Sequence, residues 1–200
     1  MIDEARLEAV DAGLAPVTDG WFVVNVRDAA WLTNHVFGAR CVFEGDVPVL
    51  RSRPELGVQR FADLGFTLAV VAPGQPSGLY HAESNQENFL VLAGECLLLV
   101  EGEQRSLRAW DFVHCPPGTE HAFVGAGDGP CVILMTGART RTKHTVYPRS
   151  EVARRHGAGV DTETASPAEA YAEFPHWQPG QPAGWNGLPW DGLRTRPAER

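Results

Sequence analysis

The chain has 200 residues, a mass of 21.8 kDa, a formal net charge of −8 and a pI near 5.3. That acidic balance, with no dense Lys/Arg cluster, excludes a nucleic-acid binder that works through phosphate contacts. The longest strongly apolar stretch, FLVLAGECLLLV (89–100), is broken by Gly94 and Glu95 and falls short of the roughly 20 residues that a membrane helix needs.

The N-terminus, MIDEARLEAVDAG, is acidic and lacks the apolar core of a secretory signal, so a cytoplasmic location is the expectation. Hydrophobic residues make up 44% and charged residues 21%, which is a globular rather than a disordered composition. The 21 glycines and 15 prolines punctuate the chain too often for a helical bundle and point to many short strands. Cys41, Cys96, Cys115 and Cys131 show no CxxC spacing and read as buried free thiols.

In chain order, residues 3–12 read as a short helix, with Asp3 as cap, Leu7 and Val10 on one face and Gly13 as stop. WFVVNV (21–26) reads as a strand by its β-branched and aromatic content, and residues 27–60 as short strands and loops. From Phe61 six strand runs follow closely: 66–74, 87–95, 96–103, 105–118, 120–127 and 131–139. Each has a glycine within its last three residues; AGE (93–95) and EGE (101–103) sit where hairpin turns belong, and DGP (128–130) is a further turn. Six such runs in about 80 residues, with no amphipathic helix among them, argue an antiparallel sandwich or barrel. Runs such as CLLLV and VILM are apolar on both faces, so added strands or a second copy must cover the outside; a homodimer is expected.

After Arg139 the chain turns polar. Two short helices are expected, over 150–157 and over 166–174, the second with Ser166 as N-cap, Pro167 at N1 and Glu169 in capping-box spacing. Residues 176–190, rich in Gly, Pro and Trp, cannot be a regular helix or central strand. They read as an extended strap that docks Trp177, Trp185 and Trp190 on the barrel. The organisation expected is therefore 1–60 as helix and added strands, 61–139 as barrel, and 140–200 as C-terminal extension.

The chemistry concentrates in YHAESNQENFLVLAGE (80–95) and WDFVHCPPGTEHAFV (110–124). On a strand His81 and Glu83 point the same way, roughly 7 Å apart at Cα. The SNQ break lets Glu87 return opposite His81, and His121 follows the tight PPGT turn. Two imidazoles with one or two carboxylates converging inside a barrel make a divalent-metal site. Against this stands a metal-free barrel in which the same groups are hydrogen-bonded to one another. Glu83 has three readings: fourth ligand, nearby general base, or solvated loop residue. Tyr80 and Glu120 should face away from the site, Gln86 and Asn88 flank Glu87 as candidate supporting donors, and Trp110 should pack beneath the barrel. His114 reads as structural, and Cys115 as a soft ligand that the site does not need.

These two stretches resemble the motifs of the cupin family, G(x)5HxH(x)3–4E(x)6G and G(x)5PxG(x)2H(x)3N. His81, Glu87 and Gly94 match the first, and Pro116, Gly118 and His121 the second. Glu83 stands at the second histidine of HxH, Gln75 and Trp110 at the opening glycines, and Gly125 at the closing asparagine. The chain is similar to small bacterial single-domain cupins with no assigned reaction.

The resemblance implies an all-β double-stranded β-helix, or jelly-roll barrel, here with short N- and C-terminal helices and the extended strap. It implies one divalent ion per chain (Zn, Mn or Fe) held by His81, Glu87 and His121, with Glu83 as fourth ligand or proton-transfer base. The expected activity is a metal-dependent dioxygenase or isomerase acting on a small polar molecule; the alternative is a non-catalytic module that binds a metal or a small molecule.

Overall fold

Short β-rich runs become strands wherever two of them can share a ladder. The structure, a computed structural model, describes residues 1–44, 61–139, 144–182 and 188–189. Strands β1 (Leu7–Val10) and β2 (Gly13–Pro16) form one hairpin, β3 (Trp31–Asn34) and β4 (Gly38–Phe43) another. Then come β5 (Leu64–Val71), β6 (Ala82–Glu83), β7 (Glu87–Ala93), β8 (Glu95–Val100), β9 (Glu103–Arg108), β10 (Phe112–Cys115), β11 (His121–Ala126), β12 (Cys131–Ala138) and β13 (Thr145–Val146). Helices α1 (Glu151–Arg155) and α2 (Pro167–Ala170) precede β14 (Gln178–Pro179).

A seven-stranded antiparallel sheet runs β10-β7-β12-β5-β4-β3-β14, and a three-stranded one runs β11-β8-β9. One buried cluster joins them: Val71, Phe89 and Ile133 from the larger sheet meet Leu98 and Phe123 from the smaller. Each such side chain contributes roughly 1.5–3 kcal/mol on burial. The architecture is all-β around this layer, and no helix among the described residues is long and apolar enough to cross a membrane. All four cysteines are buried and free. Burial alone pushes the Cys41 thiol up to about 12, and burial with the nearby Glu87 charge pushes Cys115 up to about 11.

The N-terminal helix expected over 3–12 is not formed; the segment is the β1–β2 hairpin. A single isolated helix of that length is marginal. The hairpin instead sets Ala15 and Val17 into a buried cluster with Ala30 and Leu32. Its turn requires glycine: Gly13 has φ +134°, and a Cβ there would fall 2.2 Å from the Ala29 carbonyl oxygen. Residues 21–26 are also not a strand. Trp21 makes an isolated bridge to Glu4, while Val24 and Val26 pack against the cluster around Trp31. The apolar alternation serves side-chain packing with no ladder beside it.

The two proposed hairpin turns separate cleanly. Glu101 and Gly102, with φ of 49° and 77°, form the two-residue turn between the paired strands β8 and β9. Gly94 instead turns a corner, because β7 and β8 belong to different sheets. Trp110 does not pack beneath the domain; it has φ 75° and is 75% exposed, held by its N–H donating to the Val91 carbonyl at 2.7 Å.

In the C-terminal extension, Ser166 accepts from the Glu169 N–H and Pro167 opens α2. Trp177 lies against two buried clusters, with the Arg40 guanidinium 3.9 Å above its ring. The Gln181 amide donates to the Ala12 and Ala29 carbonyls at 2.6 and 2.9 Å. Trp185 and Trp190 lie outside the described residues.

The contrast between Gly94 and Gly102 is measurable. A Cβ on Gly94 (φ +73°) would fall 2.4 Å from the Pro130 carbonyl oxygen, whereas one on Gly102 (φ +77°) meets nothing within 4 Å. Gly102→Ala should therefore cost about 1 kcal/mol, for the backbone alone, and Gly94→Ala roughly 3 kcal/mol or more, by urea unfolding. Equal losses would remove the corner argument.

Candidate metal centre

Backbone pairing brings the two imidazoles together. His81 and His121 exchange both N–H···O bonds, at 3.1 and 2.9 Å, as an isolated antiparallel bridge. Residues paired in this way project their side chains to the same face. Their rings lie 4.9 Å apart, centroid to centroid. The PPGT turn feeds His121 into this position: Gly118 has φ +86°, its N–H donates to the Glu83 carbonyl at 2.7 Å, and Thr119 closes back on Pro116.

Glu87 reaches the pair from the other sheet. It opens β7, which pairs with β10 and β12 and not with β6, so it does not return along a hairpin from His81 as the sequence suggested. Its Oε2 lies 3.5 Å from His121 Nε2. Ligand atoms of His81, Glu87 and His121 all fall within 4.8 Å of one another, a group that could hold a metal ion.

The tautomers suit that role. His81 Nδ1 lies 2.7 Å from the Leu79 carbonyl and His121 Nδ1 lies 3.0 Å from the Thr119 carbonyl. A carbonyl can only accept, so each Nδ1 carries the proton when the ring is neutral, and each Nε2 keeps its lone pair. His121 is 2% exposed; burial, and then the neighbouring His81, lower its pKa to about 4, so the ring is neutral near pH 7.

A family model described as a cupin domain matches residues 67–137, the stretch that supplies all three side chains. Over that stretch the chain is similar to a cupin domain. No curated protein matches the chain. Among solved structures, it is similar to a sugar phosphate isomerase from a cupin superfamily of Silicibacter pomeroyi, at 27% identity and a TM-score of 0.41, over 42% of this chain and 56% of that one. A cupin 2 conserved barrel domain protein from Salinispora arenicola is 30% identical over 38% of this chain and 63% of that one, with a TM-score of 0.35. A putative sugar phosphate isomerase from Acidithiobacillus ferrooxidans is 19% identical over 80% and 81%, with a TM-score of 0.41.

His81, Glu87 and His121 open on a cavity of about 610 Å³, a volume suited to a small molecule. Glu83 is on its wall and 8% exposed, on the same side as His81 as strand parity requires. It stands outside the group of mutually close donor atoms, though its charge acts on both His121 and Tyr147. Tyr80 points away, into a cluster with Leu99 and Val124, where its hydroxyl accepts from the Gly102 N–H. Burial above all pushes its phenol up to about 12. Gln86 is exposed, and Asn88 bonds the exposed His114 ring at 2.7 Å, so neither reaches the site. Cys115 belongs to the buried core and not to the ligand group.

Much of the cavity wall was missed in the sequence. Arg40 from β4, Arg139 just after β12, and Phe37, Tyr147 and Tyr171 all line it, beside Trp177 of the strap that the sequence had set against the barrel. The aromatic residues are dispersed from position 37 to 177, with no local motif.

The lowered His121 pKa has a definite sign. As pH falls below 6.5 the unfolded chain takes up the proton first, while the folded ring resists it down to about 4. Its contribution is therefore present above the unfolded value and is lost on acidification. Metal-free protein should lose on the order of 1–2 kcal/mol between about pH 6.5 and 5, and His121→Gln should show a shallower slope in urea unfolding. An unchanged slope in the variant would contradict a buried neutral His121.

Proposed function

We propose that the protein is a metal-dependent enzyme acting on a small polar molecule, with one divalent ion held by His81, Glu87 and His121. The observation that carries this reading is the pair of imidazoles whose Nδ1–H groups are fixed on backbone carbonyls, so that both Nε2 lone pairs are available beside a carboxylate. Two imidazoles and one carboxylate suit Fe(II), Mn(II) or Zn(II). A bound ion supplies Lewis-acid polarisation of a substrate oxygen, or one-electron chemistry where it is iron.

Glu83 favours catalysis over plain binding. A buried carboxylate on the wall of the same cavity, outside the three-residue group, is placed to take or return a proton on a bound molecule. Isomerisation through proton transfer uses such a group, and so does dioxygenation of a substrate that must first lose a proton. A non-catalytic binding module would retain the metal and lose nothing but affinity when Glu83 is changed. For assembly we propose a homodimer: β10 is the outer strand of the large sheet, and Phe112 on it is 65% exposed beside Trp110, an apolar edge that a second copy would cover.

Elemental analysis should find roughly one divalent ion per chain, abolished in His81→Ala and His121→Ala, with a lower melting temperature on removal by chelation. Full stoichiometry in the double variant would end the metal assignment. Glu83→Gln should keep the metal and the fold while turnover falls about a hundredfold or more in a screen of small carboxylic acids and sugars. Turnover equal to wild type would remove Glu83 as the proton carrier. Light scattering should give twice the chain mass of 21.8 kDa, and the chain mass itself would reject the dimer.

A further inference from the structure

The face of the large sheet beside Glu87 is unusually bare. Along one row of cross-strand partners, Glu87 of β7 sits opposite Gly137 of β12, and Gly137 opposite Gly65 of β5. Glycine is a poor strand residue, and in a strand it marks close approach of another group. Here the group is the guanidinium of Arg139. A Cβ on Gly65 would fall 2.4 Å from one Arg139 terminal nitrogen, and a Cβ on Gly137 would fall 2.7 Å from the other. The guanidinium therefore lies across the two glycines, on the cavity wall, next to the strand position of Glu87.

Among the described residues its donors are only partly committed. One terminal nitrogen donates to the Ala138 carbonyl at 3.1 Å and the other pairs with Glu44, which follows β4, two strands over from β12. A guanidinium has five N–H donors in a planar fork that matches a carboxylate or a phosphate. An ion pair serving only to tie β4 to β12 would not need two glycines in mid-sheet to hold the guanidinium against the cavity.

We propose that Arg139 is the anion-recognising residue of this cavity, so that its ligand carries a carboxylate or phosphate group. The spacing follows from the sheet, and this part rests on the metal reading above. With strands about 4.8 Å apart, the acidic group sits roughly 5–10 Å from the oxygen that reaches His81, Glu87 and His121. Glu44 holds the fork in place and competes with the incoming anion, which is the ordinary way to keep an arginine ordered in an empty site.

Calorimetric titration of chelator-treated full-length protein with malonate and with inorganic phosphate tests this, with Mn(II) titrated separately into the same variants. Wild type should bind at least one probe, and which one it binds distinguishes the two acids. Arg139→Gln should weaken that binding tenfold or more while Mn(II) affinity stays within about twofold. Glu44→Gln should strengthen it, and Arg105→Gln, at an exposed arginine, should leave it unchanged. Wild type binding neither probe, or Arg139→Gln binding like wild type, overturns the proposal. So does a parallel loss of Mn(II), which would make Arg139 structural. If Arg139→Gln does not fold, Arg139→Lys decides: it keeps the charge but loses the fork, and unchanged affinity overturns the proposal. A wild type that binds a probe through Arg139 but never binds Mn(II) sinks the metal reading and leaves the anion site standing.

Discussion

The reciprocal hydrogen bonds between the backbones of His81 and His121 fix the relative position of the two imidazoles, and most of the site's chemistry follows from that contact. Because the bonds are exchanged between backbones, ring orientation does not depend on side-chain packing alone. The carbonyls of Leu79 and Thr119, each two residues upstream of its histidine, then choose the tautomer. Both imidazoles therefore turn the same nitrogen, Nδ1, to a backbone carbonyl. The arrangement repeats one local device on two chain segments 40 residues apart, which is why a bridge of a single residue pair suffices to build half of a donor set.

The other half comes from a separate sheet, and this makes the corners as important as the strands. β7 leaves Glu87 at its start and ends at Ala93, and at Gly94 the chain passes to the smaller sheet. A two-residue hairpin there would have folded β8 back onto β7. Instead the positive φ at Gly94 and its contact with Pro130 send β8 across, so that the pair β8–β11 faces β7 with the core layer between them. The 3.5 Å approach of Glu87 to His121 is a contact between sheets, and the packing of Phe89 against both His121 and Phe123 sustains it.

The C-terminal extension completes the cavity rather than decorating the domain. Tyr171 accepts from the Leu79 N–H, next to the carbonyl that holds His81, and stacks edge-on against Phe37 and Tyr147. Trp177 lies under the Arg40 guanidinium while β14 adds to the edge of β3. A change in this segment therefore bears on the His81 side of the site through packed rings and one hydrogen bond, without touching a ligand.

Some of this was determined by local sequence. Alternation on a strand put His81 and Glu83 on one side and Tyr80 on the other, the PPGT turn announced His121, and Ser166-Pro167 announced α2, because each depends only on backbone geometry over a few residues. The helix read over residues 3–12 and the strand read over 21–26 failed because their signals are weak and the decision lay with neighbours: β2 for the first, and for the second the cluster around Trp31, against which Val24 and Val26 pack. The partner of Glu87, the exposure of Trp110, the aromatic wall and the bed of Gly65 and Gly137 beneath Arg139 were decided only in the folded chain. They depend on which strands become neighbours and which sheets face each other. A residue's own sequence window carries no record of that, since burial and long-range pairing are properties of the whole chain.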